Sequence, residues 1–393
     1  EPSAPALLHY TSGTTGRPKG VLISHRALVA NTAAIAHGLA LTSADVGVSW
    51  LPLYHDMGLV GALLTAIAHP YELHVLAPEA FVMKPRRWLE LIAEHRGTIS
   101  TAPNFAYEHA TRRATADGLD LSSWRAALDG AEPVHAGTLA RFSDRFAPAG
   151  FRTDALMPVY GLAEATLAVS FHPRRAPVDV LEVDRRVLDE TARVVRGAGT
   201  TARTVVGVGA PVAGTTVCVA GERGETLRED EVGEICVRGP GLMDGYYRDE
   251  DASAEALRGG WLRTGDLGFV HGERLYVSGR ARELIIQAGK NVHPEDVEEV
   301  ALGMDARIGS VAAFACPNEA TGTDDLVLVV EARGLGPVEK ETLGARLRGE
   351  ILAAIGVRAD DVAFWPVGAI PRTSSGKVRR RECAQRYQPG AVV

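Results

Sequence analysis

The sequence is short of the residues that mark several common protein classes. It has 4 cysteines (Cys218, Cys236, Cys316 and Cys383), and none forms a C-x-x-C pair. That spacing argues against a disulfide framework or a zinc site and fits reduced thiols in a cytoplasmic protein. No apolar run reaches the roughly 20 residues that a membrane helix needs. No secretory leader opens the chain, which starts at Glu1 rather than Met. Basic residues are not in excess: the net charge is −7, whereas a nucleic-acid binder presents a basic face. No internal repeat or low-complexity tract stands out. What is present is 46% hydrophobic and 23% charged residues over 393 positions. This is the makeup of a globular chain with a large core and roughly two or three domains.

One stretch concentrates anion-binding chemistry: Thr11-Ser12-Gly13-Thr14-Thr15-Gly16-Arg17-Pro18-Lys19-Gly20. An apolar run, Ala6-Leu7-Leu8, precedes it and Val21-Leu22-Ile23 follows, so the pattern is strand, loop, strand, helix. Glycines let backbone approach an anion closely. The hydroxyls donate hydrogen bonds, Lys19 adds a point charge, and backbone amides in such loops form anion-binding concavities. It is not a Walker loop, in which Ser or Thr follows the lysine; here Gly20 follows Lys19.

Along the chain, helices are expected over 26–40, 59–69, 86–95 and 137–147, and strands over 99–102, 124–133 and 155–159. Strands alternating with helices predict an α/β fold with a largely parallel sheet. From about residue 205 the runs 205–219, 233–237 and 262–269 are rich in Val, Gly and Thr and predict a β-rich subdomain. From Gly279 the pattern is α+β. Strands are expected over 284–286, 311–315 and 325–331 and helices over 294–302 and 338–355, with a solvated basic tail after them. The stretch Leu51 to Leu59 is an apolar strand running into a His-Asp turn. There His55 either meets a substrate or, with Asp56, caps the following helix. Two local patterns are set aside. Gly207-Val208-Gly209 lacks the glycine spacing and helix of a dinucleotide fingerprint. Ser374-Ser375-Gly376-Lys377 fits S-x-x-K without the companion motifs of that enzyme class.

Five segments in order resemble the adenylate-forming superfamily of acyl-CoA ligases, luciferases and peptide-synthetase adenylation domains. They are Thr11–Gly20, Leu51–Leu59, Tyr160-Gly161-Leu162-Ala163-Glu164, Thr264-Gly265-Asp266, and Pro371 to Lys377. Leu51-Pro52-Leu53-Tyr54-His55-Asp56-Met57-Gly58, Ala102 to Tyr107, Gly130-Ala131-Glu132-Pro133-Val134 and Tyr160 to Thr166 resemble its fatty acyl-AMP ligase branch.

The resemblance implies a large adenylation domain over 1–279 (α/β over 1–180, a family insertion over 181–204, the β-rich part over 205–279). A hinge at 280–282 and a small mobile α+β domain over 283–393 would follow. It implies ATP and Mg2+ as cofactors and fatty-acid activation to acyl-AMP, followed by transfer to the phosphopantetheine arm of an acyl carrier protein, in lipid metabolism or polyketide or lipopeptide biosynthesis. By the same resemblance Thr11, Ser12, Gly13, Thr14, Thr15, Gly16 and Lys19 hold the β- and γ-phosphates. Gly130, Ala131 and Glu132 line the base edge, and Tyr160, with Gly161 beside it, stacks on adenine. Asp266 accepts the ribose hydroxyls and Arg280 assists there. Glu164 holds magnesium, His55 flanks the acyl carboxylate, Lys377 reaches the carboxylate and α-phosphate, and Arg282 is the hinge. Ala163 replaces the superfamily's usual Thr, as in the acyl-AMP branch, and Arg282 replaces the usual Asp or Lys. The family carries a further N-terminal subdomain ahead of the phosphate loop, which this chain is expected to lack. Two other readings stay open: an acyl-CoA ligase, and a catalytically idle nucleotide-binding module.

Overall fold

The computed structural model describes residues 1–11, 18–199, 202–287, 290–318, 323–373 and 376–388. These fall into two units. The first holds Glu1–Thr11, Pro18–Leu181 and Thr204–Ser278; the second holds the described residues of Glu182–Arg203 and Gly279–Val393.

In the first unit, short apolar strands stack into a seven-stranded sheet. Its order is Ala210–Pro211, Ala168–Phe171, Leu156–Gly161, Ala126–Asp129, Ile99–Ala102, Val46–Ser49 and Glu72–Val75. From Leu156–Gly161 to Glu72–Val75 the strands run parallel, and the two at the other edge are antiparallel. Ala126–Asp129 is buried along its whole length, as expected of a strand covered on both faces. The helices Arg86–Glu94, Asn104–Arg113 and Ala136–Phe146 bury aromatic side chains in one core. There Trp88, Tyr107, Phe142 and Phe146 are fully buried, and Trp88 donates its indole N–H to Ser100 Oγ at 2.8 Å. A buried indole of this kind needs a partner.

The β-rich region is a second, five-stranded sheet formed by Thr216–Ala220, Gly233–Arg238, Trp261–His271, Leu257–Arg258 and Arg274–Arg280. Cys218 and Cys236 face each other in register across its first two strands, and all four thiols are free. A third sheet pairs Pro5–Tyr10 with Gly20–Ser24 and adds Gly245–Tyr246.

Three expectations change. The segment expected as an α-helix over 59–69 winds as a π-helix over Met57–Leu64, then a short α-helix over Thr65–Ala68. The wider turn lets Thr65 donate back five residues to the Val60 carbonyl at 2.7 Å. Single π-turns often mark functional regions. The charged stretch expected as an insertion of the large domain groups, over Glu182–Arg203, with the second unit. It is not a solvated loop there: Arg185 and Arg203 clamp Asp296 at 2.6 and 3.1 Å, and the three side chains are only 12, 8 and 9% exposed. The basic tail also folds. Arg380–Arg386 is a helix, Cys383 is fully buried, and Arg380 binds Glu283, Glu295 and Glu298.

The second unit is α+β. Ile308–Asn318 pairs antiparallel with Thr323–Ala332, which pairs parallel with Asp361–Trp365, a strand the sequence pattern did not suggest. Pro337–Ile355 buries Leu343, Leu347, Ile351 and Ile355 at a four-residue interval. It stops at Gly356, whose φ of 76° suits a residue without Cβ.

Candidate active site

The parallel strands deliver the candidate residues. In an open α/β sheet, ligands sit beyond the carboxyl ends of the strands. Beyond Val46–Ser49 come His55 and Asp56; beyond Ile99–Ala102 comes Asn104; beyond Ala126–Asp129 come Gly130, Ala131 and Glu132; and Leu156–Gly161 carries Tyr160 and leads to Glu164.

Tyr160 and Asp266 are joined directly. The phenol donates to Asp266 Oδ2 at 2.7 Å, and both residues are buried. Asp266 sits inside the long strand Trp261–His271 of the second sheet, so this contact ties the two sheets together. Glu164 accepts a hydrogen bond from Tyr246 Oη at 2.9 Å. Lys19 lies over the Tyr246 ring with its ammonium 4.5 Å from the centroid, a cation–π contact. Thr11 and Lys19 close the neck of the anion loop: Thr11 N–H donates to the Lys19 carbonyl at 3.0 Å, and Lys19 N–H to Thr11 Oγ1 at 3.3 Å. Ser12, Gly13, Thr14, Thr15 and Gly16 lie outside the described residues.

The glycine and alanine positions have local causes. A Cβ on Gly161 would fall 1.9 Å from the Leu167 carbonyl oxygen, and one on Gly130 would fall 2.7 Å from Val159 Cγ2. Ala131 holds a φ of 70°, and non-glycine residues in that region cluster at functional sites. Glu132 accepts the Phe105 amide at 2.5 Å, which anchors it to the start of the helix Asn104–Arg113. Asp56 does cap the helix that follows it, accepting the Met57 amide at 2.8 Å, and it lies 2.7 Å from His55 Nδ1. The cap and the placement of His55 at the sheet edge are therefore both present.

Three residues near these had no motif to announce them. His9, on the strand before the loop, is 8% exposed. Burial lowers its pKa, against the opposing pull of Asp56 and Glu164. Asp129 is fully buried; loss of water drives its carboxyl well above the usual range, although Asn104 donates to it at 2.6 Å. Its Oδ1 meets no hydrogen-bond partner among the described residues, as fits an acid that keeps its proton. Tyr246 is the third. The only sequence signal was a histidine and an aspartate ending otherwise apolar runs.

The remaining candidates belong to the second unit. Lys377 stands in a turn shaped by Thr373: Thr373 N–H donates to the Lys377 carbonyl at 2.8 Å and Lys377 N–H to Thr373 Oγ1 at 3.0 Å. Arg280 ends the strand Arg274–Arg280, and Arg282 lies in the single turn Ala281–Glu283 that follows.

A largely parallel sheet whose carboxyl edge carries a tyrosine bound to an aspartate of a second sheet, and a glutamate held by another tyrosine, followed by an α+β unit, fits the fold of an adenylate-forming enzyme. The chain belongs to the AMP-binding enzyme family, which matches residues 1–247. It is 37% identical to a medium-chain-fatty-acid–[acyl-carrier-protein] ligase of Moorena producens, over 98% of this chain and 68% of that protein. It is 36% identical to a long-chain-fatty-acid–AMP ligase of Mycolicibacterium smegmatis, over 98% of this chain and 69% of that protein. Among solved structures, it resembles one from a study of fatty acyl-adenylate ligases from E. coli and L. pneumophila. The TM-score there is 0.91 at 41% identity, over 98% of this chain and 70% of that one. A fatty acyl-adenylate ligase from L. pneumophila in complex with acyl adenylate and pyrophosphate superposes with a TM-score of 0.72 at 33% identity, over 98% of this chain and 70% of that one. Among the described residues no helix is long and apolar enough to cross a membrane.

Proposed function

We propose that this chain activates a fatty or related carboxylic acid with ATP and passes it to an acyl carrier protein. A carboxylate oxygen of the acid attacks the α-phosphorus of ATP. The bond to the bridging oxygen breaks, pyrophosphate leaves, and acyl-AMP remains. The phosphopantetheine thiol of the carrier then attacks the acyl carbon, gives up its proton, and AMP leaves. The observation that carries this reading is the linked series Lys19, Tyr246 and Glu164 together with the pair Tyr160 and Asp266, both reached from the carboxyl end of the strand Leu156–Gly161.

In this reading the loop closed by Thr11 and Lys19 holds the β- and γ-phosphates, and Lys19 supplies positive charge there. Tyr160 offers a ring face to adenine, held in orientation by its bond to Asp266, which receives the ribose hydroxyls with Arg280. Gly130, Ala131 and Glu132 form the backbone rail along the base edge. His55 stands by the acid's carboxylate. Lys377, on the second unit, stabilises charge that moves onto the phosphorus-bound oxygens in the transition state, the electrostatic role that preorganised cations fill. Arg282 is the hinge that lets that unit serve both half-reactions.

The carboxylate of Glu164 has the donor chemistry for Mg2+, a hard cation that takes oxygen ligands. When bound, the ion neutralises phosphate charge. Tyr246 holds Glu164 in orientation from the side. The four free thiols fit a reducing, cytoplasmic setting.

Support for a carrier protein over coenzyme A comes from the relatives named above, one an acyl-carrier-protein ligase and one a fatty-acid–AMP ligase. The test offers both acceptors. The chain is given Mg-ATP and fatty acids of graded length, with a phosphopantetheinylated carrier in one reaction and coenzyme A in another. Acyl carrier without acyl-CoA is the expected product by mass spectrometry. Acyl-CoA as the main product overturns the choice of acceptor.

A further inference from the structure

We propose that Glu72, His74 and His95 form a binding site for one divalent transition-metal ion, distinct from the magnesium of the nucleotide. Glu72 and His74 are two residues apart on the edge strand Glu72–Val75, so their side chains leave the same face. His95 follows the helix Arg86–Glu94 directly. The fold stacks the two imidazoles, with centroids 3.6 Å apart and planes 22° from parallel. His74 Nε2 lies 2.7 Å from Glu72 Oε1. One ligand atom from each of the three residues falls within 4.8 Å of the other two.

Two neutral imidazoles and a carboxylate are the donor set that zinc takes at sites keeping one open position. Metal–ligand bonds of about 2.0–2.2 Å need the donors drawn together, and because each imidazole lone pair lies in its ring plane, His74 and His95 must turn out of their stack to meet one ion. Glu72, with its side chain 63% exposed, has room to follow. Imidazole nitrogen selects copper, nickel and zinc over magnesium and calcium. The position also separates the site from the nucleotide. His95 precedes the strand Ile99–Ala102 and so lies toward the amino end of the parallel strands, whereas Tyr160, Gly130 and His55 lie at or beyond the carboxyl ends. Here an ion would bridge the outermost strand of the sheet to the end of a helix and clip the sheet edge.

The test uses untagged, chelator-stripped protein without nucleotide, titrated with Ni2+ and Zn2+ in a calorimeter. One ion per chain is expected, with affinity falling more than about tenfold in His74→Ala and in His95→Ala. His95→Gln, which keeps the size of the side chain, should behave like the alanine variant. Melting curves without metal show that the variants are folded, and magnesium in large excess should not displace the bound ion. Absence of binding, unchanged binding in the His74→Ala/His95→Ala double variant, or displacement by magnesium each overturns the site.

Discussion

Tyr160 and Asp266 stand 106 residues apart in the chain and meet in a single hydrogen bond of 2.7 Å, phenol to carboxylate. The bond fixes the plane of the tyrosine ring and the rotamer of the aspartate at once. Tyr160→Phe keeps the ring face and leaves Asp266 one donor short. Stability should fall by about 1–3 kcal/mol, the usual penalty for a buried group left without its partner. KM for ATP should rise while turnover changes little. Asp266→Ala removes the proposed ribose contact itself and should cost more in ATP affinity than Tyr160→Phe does. Calorimetric ATP binding and a thermal melt check both; equal ATP affinity in all three proteins counts against the pair's role.

Glu164 is held by Tyr246 at 2.9 Å. Glu164→Gln keeps the shape and removes the charge. The magnesium concentration needed for half-maximal pyrophosphate exchange should rise, with a smaller rise for Tyr246→Phe, which only loosens the carboxylate. A magnesium dependence identical to that of the unaltered chain would remove Glu164 from the metal.

Lys377 sits in a turn whose backbone is closed by Thr373. Lys377→Ala should lower adenylation by roughly a hundred- to a thousandfold, the scale seen when one transition-state donor is removed. ATP binding should persist, because the proposed nucleotide contacts other than Arg280 lie on the first unit. Unchanged pyrophosphate exchange would sink the assignment.

Acid should weaken the second unit through His293. Burial and the nearby Arg203 hold its pKa down to about 4, against a pull from Asp296 in the other direction. The folded state therefore resists protonation that the unfolded chain accepts near pH 6.5. As pH falls from about 6.5 toward 4 the unfolded chain binds the extra proton, and stability drops by on the order of 3 kcal/mol. The contribution is fully present above pH 6.5. His293→Gln should flatten that part of the stability curve in denaturant melts; an unchanged slope would mean that other groups carry it.

Much of the fold was legible because its signals are local. The alternation of apolar strands with helices marks the parallel sheet, and the changed texture after 205 marks the second sheet. Lys19, Glu164, Tyr160 and Asp266 sit in short stretches whose residue types stand out, and the structure joins them in two linked groups. What escaped depends on long-range contact. Tyr246 matters only because its strand lies beside Gly20–Ser24. Arg185 looks like one charge among many, yet its partner Asp296 is 111 residues away. Arg380 reads as tail until Glu283, Glu295 and Glu298 surround it. Nor does the π-turn at Met57–Leu64 show in a Gly- and Leu-rich run, since it differs from an α-helix only in backbone hydrogen-bond spacing.

The most direct measurement is detection of the adenylate itself. The chain is incubated with Mg-ATP and a panel of fatty acids, without any thiol acceptor, and the products are read by mass spectrometry. Acyl-AMP and pyrophosphate are expected with at least one chain length, and far less of both from Lys377→Ala. Nucleotide binding with no acyl-AMP from any acid would contradict it and leave a nucleotide-binding module in its place.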